Sequence, residues 1–155
     1  PWTWAGPSRA VTGSTWGGCL EVLQRILTAG RLPSDPHVLD GGVLIVETSE
    51  QLSPAEDVGR ILRSLGERGL LASVDAVLVA RPPVTDFDRH PDATERARLR
   101  AEQRDAVLEQ INHYNPDAVV CIGVPFGHTR PQWIIPHGGM VTVDGVNQRV
   151  LADYS

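Results

Sequence analysis

The sequence predicts an α/β fold, a mixed sheet with flanking helices. Two kinds of signal carry that reading. Short apolar runs at residues 43–46, 74–80 and 117–123 are rich in Val and bounded by turn residues, as buried strands are. A helical stripe lies between the first two, so residues 42–80 read strand–helix–strand, which requires a parallel crossover, right-handed by a strong rule. At 155 residues the chain is one domain of ordinary size, large enough for a real core.

Each element has its own justification. Residues 1–18 hold three Trp among Gly and Pro, a loop or short-strand composition. Leu20, Leu23, Ile26 and Leu27 recur at helical spacing before Gly30, so a helix is expected over 18–29, opening at Gly17-Gly18-Cys19. A Pro-rich connection at 33–36 leads into the strand that ends at Glu47. Ser53-Pro54-Ala55-Glu56 reads as a capping box with Pro at the first helical position. Val58, Ile61, Leu62 and Leu65 form the stripe of that helix, and Gly69 ends it. After the strand at 74–80, Arg81-Pro82-Pro83 opens a polar loop to about 91. A long helix follows from Asp92 to Tyr114; its charged first half should be exposed, and Ala106, Val107, Ile111 and Tyr114 should pack. Asn115-Pro116 stops it. Trp133-Ile134-Ile135 is a short apolar segment, and 140–143 with 149–151 read as a hairpin around Asp144-Gly145.

Composition narrows the function classes. Hydrophobic residues are 41% and charged residues 21%, a globular rather than a disordered profile. The net charge of −5 speaks against a nucleic-acid surface. All 14 basic residues are Arg, which excludes a lysine nucleophile, a Schiff-base lysine and a phosphate-loop lysine. No apolar run reaches spanning length and no signal-peptide pattern is present, so no membrane partner and a cytoplasmic location are expected. The two cysteines, Cys19 and Cys121, make no disulfide scaffold, although a single bridge stays open. His37, His90, His113 and His137 stand in no His-Glu-x-x-His pattern, so no metal and no cofactor are expected. The chain opens Pro1-Trp2-Thr3-Trp4 without Met, as though cut from something longer.

The chemistry-bearing residues sit at strand ends. In open α/β sheets ligands bind just outside the carboxyl ends of strands. Glu47 ends one strand, ready to orient a histidine or act as a base, or else simply solvated. Val124-Pro125-Phe126-Gly127-His128 follows another strand and delivers an imidazole to the same kind of edge. Arg81 follows a third, either as part of a solvated loop or as a guanidinium fork for a substrate carboxylate. Trp16 is either core filler or a stacking platform for a planar ligand group. Cys19, at an expected helix N-terminus, is a conceivable nucleophile with a depressed pKa, against the plainer reading of a small buried hydrophobe.

Trp16-Gly17-Gly18-Cys19-Leu20-Glu21-Val22-Leu23, then Gly42-Val43-Leu44-Ile45-Val46-Glu47-Thr48-Ser49-Glu50, then Gly123-Val124-Pro125-Phe126-Gly127-His128 resemble the carboxyl-terminal half of the LD-carboxypeptidase family of serine peptidases. The nearest likeness is to its microcin-C-immunity-like branch. The resemblance covers nearly the whole chain. It implies a swivelling β/β/α-type domain and a two-domain enzyme with a Ser-His-Glu triad. The serine would lie on the amino-terminal domain, absent here, while Glu47 and His128 match the triad acid and base. Homodimers of the full-length protein are also implied. The implied substrate is an L,D-peptide bond of cell-wall peptide or a peptidyl- or aminoacyl-nucleotide amide. Two departures stand out: Cys19 where many relatives carry Asn, and a longer segment between Glu47 and His128 through the Arg/Asp-rich stretch near 84–100. Two other readings remain. One is a non-catalytic binding or assembly domain with Glu47 and His128 as structural rim residues; the other is a cysteine hydrolase using Cys19 with His128.

Overall fold

The chain forms, in order, β1 (Thr3–Ala5), β2 (Ala10–Cys19), α1 (Leu20–Thr28), β3 (Val43–Glu47), α2 (Ala55–Glu67), α3 (Leu70–Ser73), β4 (Ala76–Ala80), α4 (Ala93–Tyr114), β5 (Val119–Val124), β6 (Met140–Asp144) and β7 (Arg149–Ala152). The computed structural model describes residues 1–155. All seven strands join one sheet in the order β1-β5-β4-β3-β2-β6-β7, so β3 lies at its middle. The pairs β2–β3, β3–β4 and β4–β5 are parallel, and the outer pairs are antiparallel. This is the expected mixed sheet with flanking helices.

Strand β2 bends the sheet into two layers. Residues 10–14 pair with β6 and residues 15–19 pair with β3. The β6–β7 turn folds back far enough that a Cβ on Gly145 would lie 3.1 Å from the Val119 side chain. Side chains then sort by strand period. Leu44, Val46, Val77, Val79, Val120 and Ile122 face the helices and pack with Leu62, Leu65, Val107 and Ile111. Val43, Ile45, Leu78, Val119 and Cys121 face the curled layer and pack with Val141, Val143 and Phe126. Sheet, sheet and helix stack in a β/β/α arrangement.

Several local expectations are corrected. Residues 10–19 are one long strand rather than loop or short strand: residues 10–14 pair with β6 and 15–19 with β3, and alternate residues Val11, Gly13 and Thr15 are buried. Gly17 and Gly18 belong to that strand, and α1 opens at Leu20 with Cys19 as its cap residue. Gly17 has φ +130°, and a Cβ there would strike the Ile45 carbonyl. The capping box at Ser53 does not form: Pro54 is the cap residue of α2, and the Ser53 hydroxyl donates instead to Glu21 Oε1 at 2.7 Å. Beyond Gly69, at φ +79°, the chain adds the short α3 before β4. Trp133-Ile134-Ile135 has no regular structure, and Ile134 is exposed. The long helix is as expected, with Asp92 accepting from the Glu95 amide at 2.9 Å and Val107 and Ile111 buried. Both cysteines are free thiols.

Candidate active site

Three adjacent parallel strands end on one rim. Glu47 closes β3, Arg81 follows β4, and His128 follows β5 through Pro125-Phe126-Gly127. Strand period puts Glu47 on the same face as Val43 and Ile45, the face against which Phe126 packs. The acid and the histidine loop are thereby directed at each other. Gly127 makes the approach possible: its φ is +72°, and a Cβ would fall on the Glu47 carboxylate.

The contact is a double one. Glu47 Oε2 accepts from the His128 backbone amide at 2.8 Å and bonds His128 Nδ1 at 2.7 Å. A carboxylate can only accept, so Nδ1 carries the proton and Nε2 is left as the free basic position. The Glu47 side chain is only 12% exposed while that of His128 is 41% exposed, so a protected acid holds an accessible base. Glu50 Oε2 stands 3.2 Å from Nε2. The hydrogen bond to Glu47 raises the His128 pKa; burial opposes this, and the charges of Glu47, Glu50 and Glu21 add to the rise. A carboxylate thus stands at each ring nitrogen.

A third acid, Glu21, organises the loop that follows β3. Its carboxylate accepts from the Ser49 amide (3.1 Å), the Ser49 hydroxyl (3.1 Å), the Ser53 hydroxyl (2.7 Å) and the Cys19 thiol (3.1 Å). Burial disfavours its charge, but the bonds from Cys19, Ser53 and Ser49 outweigh burial and hold its pKa below the usual carboxylate range. The same contacts act oppositely on Cys19: burial first, then the bond to Glu21, push its thiol up to about 11. A thiol so held is the opposite of an activated nucleophile.

Glu47, Glu50, Arg81, Arg100, Arg130 and His128 line one open cavity of about 1030 Å3. Arg81 donates from Nε to Thr129 Oγ1 at 3.0 Å and from Nη2 to the Arg130 carbonyl at 2.6 Å. Trp16 is not brought to this cavity. It lines a separate one of about 440 Å3 with Gly41, Gly42 and Val43, at the opposite end of β3. Reading the strands singled out Glu47, Arg81 and His128 but missed Glu50, Glu21 and Arg100. Glu50 carries a signal in its spacing, three residues past Glu47, whereas nothing in the local pattern marks Glu21. No three His, Cys, Asp or Glu side chains converge as metal ligands.

The family profile described as the LD-carboxypeptidase C-terminal domain matches residues 12–143. The chain belongs to that family. No curated protein sequence matches it. Among solved structures, an MccF-like protein from Streptococcus pneumoniae in complex with AMP superposes with a TM-score of 0.75 at 24% identity, over 99% of this chain and 44% of that one. MccF in complex with glutamyl sulfamoyl guanosine gives 0.72 at 20% identity, over 96% and 39%. An MccF-like protein from Bacillus anthracis str. Ames gives 0.67 at 16% identity, over 95% and 41%. The LD-carboxypeptidase-type C-terminal domain thus spans less than half the length of the solved proteins it resembles. No helix in it is long and apolar enough to cross a membrane.

Proposed function

We propose that this domain supplies the base and its orienting acid to a serine hydrolase whose hydroxyl lies on another domain of the full-length protein. The observation that carries this is the double acceptance by Glu47 Oε2 from the His128 amide and Nδ1. It fixes both the tautomer and the direction of the ring. His128 Nε2 then takes the serine proton as the hydroxyl attacks the acyl carbon, and later returns it to the departing amine. Glu47 stabilises the imidazolium formed in between. Glu50 must leave Nε2 before the base can work; its side chain is 71% exposed and free to swing.

The substrate we favour is an aminoacyl-nucleotide amide, with a cell-wall L,D-peptide as the second candidate. Support comes from neighbours of this fold whose structures hold glutamyl sulfamoyl guanosine and aspartyl sulfamoyl adenosine. Two copies of the full-length protein are the assembly we infer, and a cytoplasmic location suits either substrate.

Turnover of an aminoacyl-sulfamoyl adenosine and of a murein tetrapeptide by the full-length protein tests the reading. Glu47→Gln should keep the ring nearby but favour the wrong tautomer, lowering kcat/KM about 10³- to 10⁴-fold. His128→Ala should be at least as damaging. Wild-type rates in Glu47→Gln would sink the assignment and leave a structural rim pair. The 155-residue chain by itself should hydrolyse neither substrate.

A further inference from the structure

The His128 cavity has cationic lining besides its acids. Arg81, Arg100 and Arg130 line it. Arg81 and Arg100 also line an adjoining cavity of about 470 Å3, together with Trp2 and Arg104. The two spaces share Arg81, Pro82 and Arg100 in their walls. Burial, followed by the charges of Arg81 and Arg96, pushes the Arg100 pKa below its ordinary value. Like charges are being held within reach of one another.

Other arginines of the same region are neutralised. Arg89 pairs with Glu95, Arg98 with Glu95 and Glu102, and Arg104 with Asp105. Arg81, Arg96, Arg100 and Arg130 have no such partner. Arg81 is aimed by neutral acceptors, Thr129 and the Arg130 carbonyl, and Arg96 donates to the Pro91 carbonyl at 2.8 Å. The acids of the cavity are engaged elsewhere. Glu47 and Glu50 hold His128, and Asp86 Oδ1 accepts from the Asp88 and Arg89 amides, both at 2.7 Å. In a chain with 19 acids and 14 bases, clustering cations without a counter-charge is costly unless an anion joins them. Guanidinium forks match the paired oxygens of a phosphate or carboxylate.

We propose that Arg81 and Arg100, reinforced by the charge of Arg96, form an oxyanion subsite that takes a phosphate-type or carboxylate group of the ligand presented to His128. This rests on the hydrolase reading only for which bond lies at His128; the anion binding stands apart from catalysis. The subsite would set which end of a substrate enters, since Glu47 and Glu50 in the same cavity repel an anion from their own part of it.

Calorimetric titration of the full-length His128→Ala protein tests it without turnover. Two probe pairs are used: AMP against adenosine, and an acetylated dipeptide with a free terminal carboxylate against its amide. The charged member of at least one pair should bind at least about tenfold tighter, the difference shrinking with added salt. Preference in the first pair assigns a phosphate-type group, and in the second a carboxylate. Arg100→Gln should erase most of the preference and leave the neutral probe's affinity unchanged, while Arg100→Lys should restore part of it. Absence of preference in both pairs, or a preference that survives Arg100→Gln and Arg81→Gln in proteins of wild-type melting temperature, would overturn the subsite. Full turnover by His128→Ala would instead defeat the hydrolase reading and leave the binding result intact.

Discussion

His128 touches a carboxylate on each ring nitrogen, and the two contacts do opposite things. Glu47, largely buried and bonded twice, fixes the ring for use. Glu50, mostly exposed, covers Nε2, the nitrogen that the proposed mechanism uses as its base. Both negative charges favour the protonated ring, and a protonated ring cannot accept the serine proton. The acid limb of the rate profile should therefore lie above the ordinary imidazole value near pH 6.5. Glu50→Gln removes one of the two charges. The His128 pKa should fall, and the acid limb of kcat/KM should move to lower pH. An exposed pair is worth about 0.2–1 kcal/mol, so the displacement should be a few tenths of a pH unit, up to about 0.7. A pH–rate profile of the full-length variant checks this; an unmoved limb would mean that Glu50 leaves His128 entirely when the domains meet.

At the scale of elements, the rim depends on how the chain leaves β3. A strand ends cleanly at Glu47, but Glu50 reaches Nε2 only because residues 48–53 turn back over α1. Glu21, in the first turn of α1, fastens that turn through Ser49 and Ser53. The strand ends were legible in the sequence because apolar runs halting at Glu47, Arg81 and Val124 need only local pattern. The fastening was not legible. Ser53 has the right neighbours for a capping box, and nothing local reveals that a carboxylate 32 positions earlier in the chain competes for its hydroxyl. Strand β2 was hidden likewise, since Gly and Thr fill positions where a shorter strand would carry Val or Ile. Glu21→Ala should free the loop, leaving partly buried donors unmatched at a cost of about 1–3 kcal/mol. Hydrogen exchange at the Ser49 amide should accelerate, with kcat/KM lower and the core amides of β4 unchanged. The pH dependence has a definite sign. The Glu21 pKa is depressed in the folded chain, so its contribution is present above the ordinary carboxylate pKa and lost as pH falls through the lower folded value. That acid-side loosening of the loop should be missing from Glu21→Gln.

Across the whole molecule, one sheet separates the residues that stabilise the fold from those proposed to do the chemistry. The helix-side core of Leu44, Val77, Leu62, Leu65 and Ile111 lies on the face of β3 opposite to Glu47. The β/β/α layering was expected from the family resemblance rather than from periodicity, because a curled sheet depends on β2 serving two partners over its ten residues. The layering makes stability and activity separable. Leu62 is fully buried on α2. Leu62→Ala removes its contacts with the sheet and leaves a cavity, which should cost about 2–5 kcal/mol. For a domain of this size that corresponds to a fall in Tm of roughly 5–15 °C. At a temperature well below the new Tm, kcat/KM should stay within a few-fold of wild type, since the Glu47 side chain points from the opposite face of β3. Glu47→Gln should do the reverse, with activity lost and Tm little changed. Melting curves and low-temperature rates on the two variants decide the matter: a Leu62→Ala protein that loses activity while still folded would show that the helical layer sets the geometry of the rim, and that the two faces of β3 are mechanically coupled rather than independent.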